Sequence, residues 1–245
     1  MKRWNVISIF SVIVLAIGLT AMYFMKAEND TIINLNKNVN GKNISINISK
    51  GQQYLHKFKV NSLIHIKTPP QVAIWVEDTS GNYIKTLYAT EKIVEQKWGA
   101  SKPGEIVRKE ALPYWTHKKG NDTNLDMVSS ATPKGNSLIH TTFDSNNDEY
   151  VILAEVNMST DFNEFYPRDA KLGESNYSGG NNGSGQPALI YSAKVNNSDL
   201  ETNHYELELV GHSSADGSNG ELFTDMEGIT TAKDIIDKIE ITLGD

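Results

Sequence analysis

From Asn43 to Ile48 the chain alternates Ile44, Ile46 and Ile48 with Asn43, Ser45 and Asn47. That period-two pattern is the mark of a strand with one buried face. Strand-like runs recur at Tyr54 to Val60 and Leu63 to Lys67. Val72-Ala73-Ile74-Trp75-Val76 and Tyr83-Ile84-Lys85-Thr86-Leu87-Tyr88 flank the short polar loop Asp78-Thr79-Ser80-Gly81-Asn82, which predicts a hairpin. Ser137 to Phe143 and Tyr150 to Val156 predict a second hairpin, turning at Asp144 to Asp148. Further strands are expected at Ala188 to Val195, His204 to Val210 and Lys238 to Leu243. Between Thr90 and Ala131 the pattern loosens, with one short helix expected near Thr123 to Ser129 and another capped by Thr230 or Thr231. No repeated strand–helix alternation occurs, so a parallel sheet is not expected. The expectation is an all-β, mainly antiparallel β-sandwich, Ig-like or related, with one or two short helices and long loops.

The first 26 residues follow a different rule. Lys2 and Arg3 precede an apolar run from Trp4 to Met25, followed by Lys26, Glu28 and Asp30. About 20 apolar residues cross a bilayer core, and the charge flank predicts an inside N-terminus with the body outside the cytoplasm. Ala21 is followed by the bulky Met22-Tyr23-Phe24-Met25, a poor cleavage site, so an uncleaved signal anchor over residues 1–26 is favoured over a cleaved, secreted form. A single-pass membrane protein with an extracytoplasmic domain over residues 27–245 is expected, residues 27–70 being either an extension or its first strands.

Composition narrows the chemistry. The chain has no cysteine, which excludes disulfides, thiolate-bound zinc and a lipid-modified cysteine. All 30 acidic residues follow Ala27, whereas Lys2, Arg3 and Lys26 of the 23 basic ones precede it, so the body carries 20 − 30 = −10 formal charges. Such a balance argues against nucleic acid or an anionic lipid surface as partner.

Three stretches resemble an uncharacterised family of periplasmic or secreted bacterial proteins carrying a domain of unknown function. They are Val72 to Asp78 with Lys85-Thr86-Leu87, then Leu112-Pro113-Tyr114-Trp115, then Ser129 to Gly135. The resemblance spans about Val72 to Leu243 and implies an exported β-sandwich. Members of that family occur beside flavin-related membrane redox proteins. It supplies no catalytic residue to carry over.

Several constellations invite chemistry. Gly211-His212-Ser213-Ser214-Ala215 approaches a nucleophile elbow, but the helix breakers Asp216 to Gly220 follow, and no histidine comes after the serine. Asp144, Asn146 and Asp148 present oxygen ligands at alternate positions, with Glu155 at the twelfth place of a calcium loop. The sixth place holds Glu149 where the sharp turn needs glycine, so a polar hairpin turn is the favoured reading, calcium is the alternative ligand, and no other cofactor is expected. Asp216, Ser218, Glu221 and Asp225 form a weaker version. The six histidines show no metal-binding spacing. Tyr166-Pro167-Arg168-Asp169, with the glycine-rich segment through Gln186, is the candidate surface for an anion or glycan. Tyr166, Arg168 and Asp169 are the ligand-binding candidates. With no catalytic motif, the body is expected to be a non-enzymatic module for a protein or glycan ligand. The alternative is an accessory of a membrane flavin or redox system, with a deep pocket lined by some of Trp75, Trp98, Trp115 and the histidines.

Overall fold

The computed structural model describes residues 30–35, 41–59, 65–99, 101–122, 125, 129–143, 148–196 and 203–244. From Thr31 onward the chain forms one compact unit. In chain order the strands are β1 (Thr31–Asn34), β2 (Lys42–Lys50), β3 (His56–Lys59), β4 (His65–Thr68), β5 (Gln71–Glu77), β6 (Tyr83–Thr90), β7 (Ser129–Ser130), β8 (Ser137–Phe143), β9 (Glu149–Asn157), β10 (Leu189–Asn196), β11 (His204–Glu206), β12 (Glu208–His212) and β13 (Ile236–Leu243). Helices α1 (Glu91–Glu95) and α2 (Pro113–Lys119) lie between β6 and β7. A five-stranded sheet runs β1-β8-β2-β13-β11, a six-stranded sheet β12-β10-β9-β5-β6-β7, and β3 pairs with β4. All pairings are antiparallel except β1 with β8 and β6 with β7. The protein is therefore all-β and sandwich-like.

The alternation in β2 sets the core. Register places Ile46 between Ile139 of β8 and Ile241 of β13, and all three are fully buried. They share one cluster with Val72, Ile74 and Val76 of β5 and Ile152, Ala154 and Val156 of β9. Each isoleucine removed from water contributes about 1.5–3 kcal/mol, so this seam holds the sheets together.

Strand β5 is buried at all seven positions, and β9 at most of its length. Strands with both faces covered need a second layer beyond the facing sheet. Helix α2 supplies it. Trp115 is buried with its indole N–H donating to Thr86 Oγ1 at 3.0 Å, and the Tyr114 ring lies 5.9 Å from that of Trp75. Lys118 Nζ bonds Glu77 Oε2 at 3.2 Å and the Gly81 carbonyl at 2.8 Å, tying the far end of α2 to the β5–β6 turn. At the near end Leu112 gives no side-chain cap. The wholly buried Glu155 of β9 does the capping from the sheet, accepting the Tyr114 N–H at 3.2 Å and the Trp115 N–H at 2.8 Å. Acceptors are favoured at a helix start because its first N–H groups have no partner inside the helix.

Two sequence expectations are corrected. Strands β8 and β9 do not pair as a hairpin: β8 lies between β1 and β2, and β9 between β10 and β5. Both strands are buried along most of their length, so facing each other across the core, with the Phe143 and Tyr150 rings 5.3 Å apart, satisfies them better than pairing edge to edge. The run 204–210 is not one strand. It crosses between sheets at the buried Leu207, β11 pairing with β13 and β12 with β10. The helix expected over 123–129 lies mostly outside the described residues, and Ser129 belongs to β7. The short helix expected after Thr230 is present as a 3-10 helix over Thr231–Asp234 with Thr230 at its N-cap position, without a side-chain cap bond. Residues 1–29, which carry the expected anchor, lie outside the described residues, among which no helix is long and apolar enough to cross a membrane.

Burial pushes the Glu155 carboxyl up to about 8, against the two backbone N–H bonds and a Ser213 hydroxyl bond that favour its charged form. The folded protein therefore keeps a proton that the unfolded chain releases near pH 4.5. Stability from this group is complete below pH 4.5 and is lost as the pH rises towards 8. Thermal denaturation followed by circular dichroism at pH 5, 7 and 8.5 should show Tm falling with pH. Glu155→Gln keeps an acceptor for α2 but cannot ionise, so its profile should be flatter. Parallel profiles for the two proteins would contradict the assignment.

Candidate functional site

Antiparallel pairing brings several chain reversals to one end of the six-stranded sheet. There β5 begins beside the end of β9, Gln71 facing Asn157, and β10 begins beside the ends of β9 and β12. A cleft of about 780 Å³ opens at this end. Its walls come from the start of β5, α1, the segments 98–99 and 106–110, Ser159-Thr160 after β9, residues 172–182 and Asp216. Loops gathered on a rigid sheet are a common place for ligand sites, and this volume is that of a site for a drug-sized molecule.

Arg108 organises the wall. Its guanidinium lies 4.6 Å from the centre of the Trp98 ring, and its Nε bonds Glu110 Oε1 at 3.0 Å. One Nη donates to Ser159 Oγ at 3.0 Å and the other to the Asn182 carbonyl. The backbone N–H of Arg108 donates to Gln96 Oε1 at 3.0 Å, the same atom that accepts the Trp98 indole N–H. A planar fork of donors on an aromatic face suits arginine and not lysine. Arg108 thus joins three segments, distant in sequence, into one surface. Three residues beyond Glu110 the chain enters α2, so the Glu155 cap also fixes where this wall begins.

The other wall is the glycine-rich segment. Its glycines predict flexibility, but the structure shows a close-packed loop with Ser178, Ser184 and Gln186 buried. The Ser184 N–H donates to the Ser178 carbonyl at 2.9 Å, and the Thr160 and Asp161 N–H groups donate to the carbonyls of Gly183 and Ser184 at 2.8 Å. A Cβ on Gly183 would stand 1.8 Å from the Ser178 oxygen. Gly179, at φ +92, leaves room for the Glu110 carboxylate, which a Cβ would meet at 2.7 Å. Glycine here permits tight packing rather than motion. Beneath the loop Gln186 Nε2 bonds Asp161 Oδ2 at 2.8 Å and Thr231 bonds Asp161 Oδ1 at 2.7 Å, while burial raises the Asp161 carboxyl above its usual range.

Thr160 stands out in the cleft lining. It has φ +62, unusual for a β-branched residue, and its buried hydroxyl has no hydrogen-bond partner. Each feature costs about 1–3 kcal/mol, and strain of this kind concentrates at functional positions. Ile106, Val107 and Leu172 stand 48, 62 and 82 % exposed along the same cleft. Lys92 and Lys109, both exposed, also line it.

The sequence candidates fall elsewhere. Tyr166 is buried, its ring 5.0 Å from Phe165, while Arg168 is exposed over Phe162 at 4.8 Å and Asp169 is exposed. None of the three lines the cleft. Asp144 and Asn146 lie outside the described residues, and Asp148 is exposed beside β9. Glu155 is buried and accepts the N–H groups that open α2. Among the described residues no three His, Asp or Glu side chains gather as metal ligands. Ser213 is fully buried, and both ring nitrogens of His212 lie 2.8 Å from carbonyl oxygens. Of the tryptophans set for an aromatic pocket, Trp75 and Trp115 are core and only Trp98 lines the cleft, with no histidine beside it. The sequence signal for the cleft was the apolar pair Ile106-Val107 beside Arg108 in a loop between glycine and proline breakers. Compared with protein-family models, curated proteins and solved structures, the chain matches none of them.

Thr160→Gly removes both the strained φ and the orphan hydroxyl at the cost of backbone entropy, and should stabilise the fold by about 1 kcal/mol. Gly183→Ala should cost about 2 kcal/mol through overpacking. Urea denaturation of both variants checks the pair, and a flexible loop would show neither effect.

Proposed function

We propose that the chain is a non-enzymatic binding module, held at the cell membrane by its N-terminal apolar segment, that takes its ligand into the Trp98–Arg108 cleft. The cleft carries the proposal. It is a cavity of ligand size whose walls are tied in place, with three aliphatic side chains left facing solvent. Exposed apolar groups beside a pre-formed cavity are otherwise a liability for solubility. The residue pattern before Glu28 and the acidic body support display outside the cytoplasm, as does the resemblance to exported proteins. Two antiparallel-rich sheets, with a strand run crossing between them at Leu207, support an Ig-like relative of the sandwich folds. A protein or glycan partner reaches such a site through one protruding group, with no nucleic acid involved. No calcium or other cofactor is required at this cleft. The redox-accessory alternative would draw support from several aromatic and histidine groups in one pocket, and the cleft lining holds Trp98 and Tyr177 with no histidine.

The absence of native cysteine allows one experiment to test display and binding together. Val107→Cys in the cleft and Asp169→Cys outside it are labelled in intact cells with a membrane-impermeant maleimide. Both should react, and a cell-envelope extract should protect Cys at position 107 but not at 169. Labelling only after lysis would contradict display, and equal labelling with and without extract would contradict the cleft as the site.

A further inference from the structure

We infer that the ligand of this cleft is an amphipathic organic anion, with an aliphatic body against Ile106, Val107 and Leu172 and an anionic head at Lys92 and Lys109; this rests on the binding reading above. The charge distribution leads to it. The body as a whole is strongly acidic, yet the formally charged cleft residues are Lys92, Arg108 and Lys109 against Glu110 and Asp216. Glu110 is occupied by Arg108 at 3.0 Å, and Asp216 Oδ1 accepts the Ser218 N–H at 2.9 Å. Lys92 and Lys109 make no ion pair among the described residues. A pair of uncommitted cations at an apolar cleft, inside an otherwise negative field, selects an opposite charge attached to apolar surface.

The wall chemistry separates this ligand from a sugar. Sugars are held by a flat aromatic platform, and here the Arg108 guanidinium covers one face of Trp98. Beside the Tyr177 ring, the remaining apolar surface is mainly the branched aliphatic Ile106, Val107 and Leu172, which pack against methylene chains.

The test uses the full chain in lipid-bilayer discs, with three soluble probes of one chain length: octanoate, 1-octanol and octylammonium. Chain labelled with 5-fluorotryptophan reports binding by fluorine NMR, the Trp98 resonance being assigned from its loss in Trp98→Phe. Octanoate should shift that resonance saturably, with about tenfold higher affinity than octanol, and octylammonium should bind weakest. Lys92→Gln with Lys109→Gln, both at exposed positions, should bring octanoate down to the octanol level, and raising the salt should do the same in part. Equal affinity for octanoate and octanol, or no effect of the lysine changes, would overturn the inference. If none of the probes moves Trp98 while the envelope extract still protects Cys at position 107, the anion assignment fails and the binding reading stands. If the extract does not protect either, both fail.

Discussion

The six-stranded sheet has two faces to bury, and the contact between α2 and Glu155 is what closes the second. One face meets Ile46, Ile139 and Ile241 of the other sheet. The other presents Ala73, Trp75 and Leu153 together with Gln71, Glu77, Glu155 and Asn157, a mixed surface that water would otherwise occupy. Helix α2 covers it with Tyr114 and Trp115, and its unpaired N–H groups find an acceptor in the Glu155 carboxyl beneath them. A seven-residue helix has little stability of its own, so the sheet holds the helix as much as the helix roofs the sheet.

The cleft follows from that arrangement. The segment entering α2 carries Arg108 and Glu110, and Arg108 bonds Ser159 after β9 and Asn182 in the glycine-rich loop. Chain reversals from one sheet end are thereby locked against one another. The resulting wall leaves the Thr160 backbone in a costly conformation and three aliphatic side chains in water. A fold optimised only for stability would keep neither, and both are accounted for if the cleft is there to be filled.

Much of the sheet structure was legible because period-two alternation reports one buried face directly, as in Ile44-Ile46-Ile48 and the β5–β6 pair. Partner choice was less so. Nothing local in Ser137 to Phe143 says that it pairs with β2 and a parallel β1 in preference to the next strand. The crossing at Leu207 is equally silent, because alternation continues through it. Helix α2 was hidden by a proline start, aromatic residues and a cap supplied from 40 positions away by Glu155. The site was the least legible part. Tyr166 and Arg168 looked like a clamp on composition, whereas the cleft is assembled from residues scattered between Thr68 and Asp216, and the glycines beside it serve close packing.

The central claim is that a ligand-sized cleft exists before any ligand arrives, with the 178–186 segment as a rigid wall. Hydrogen–deuterium exchange of the ligand-free full chain in bilayer discs addresses it most directly. The N–H groups of Thr160, Asp161, Ser184 and Gln186, all bonded to backbone carbonyls, should exchange as slowly as those of β5 and β9. Exchange of these four at the rate of an unstructured chain would mean that the wall is not formed, and the account of the cleft would fall with it.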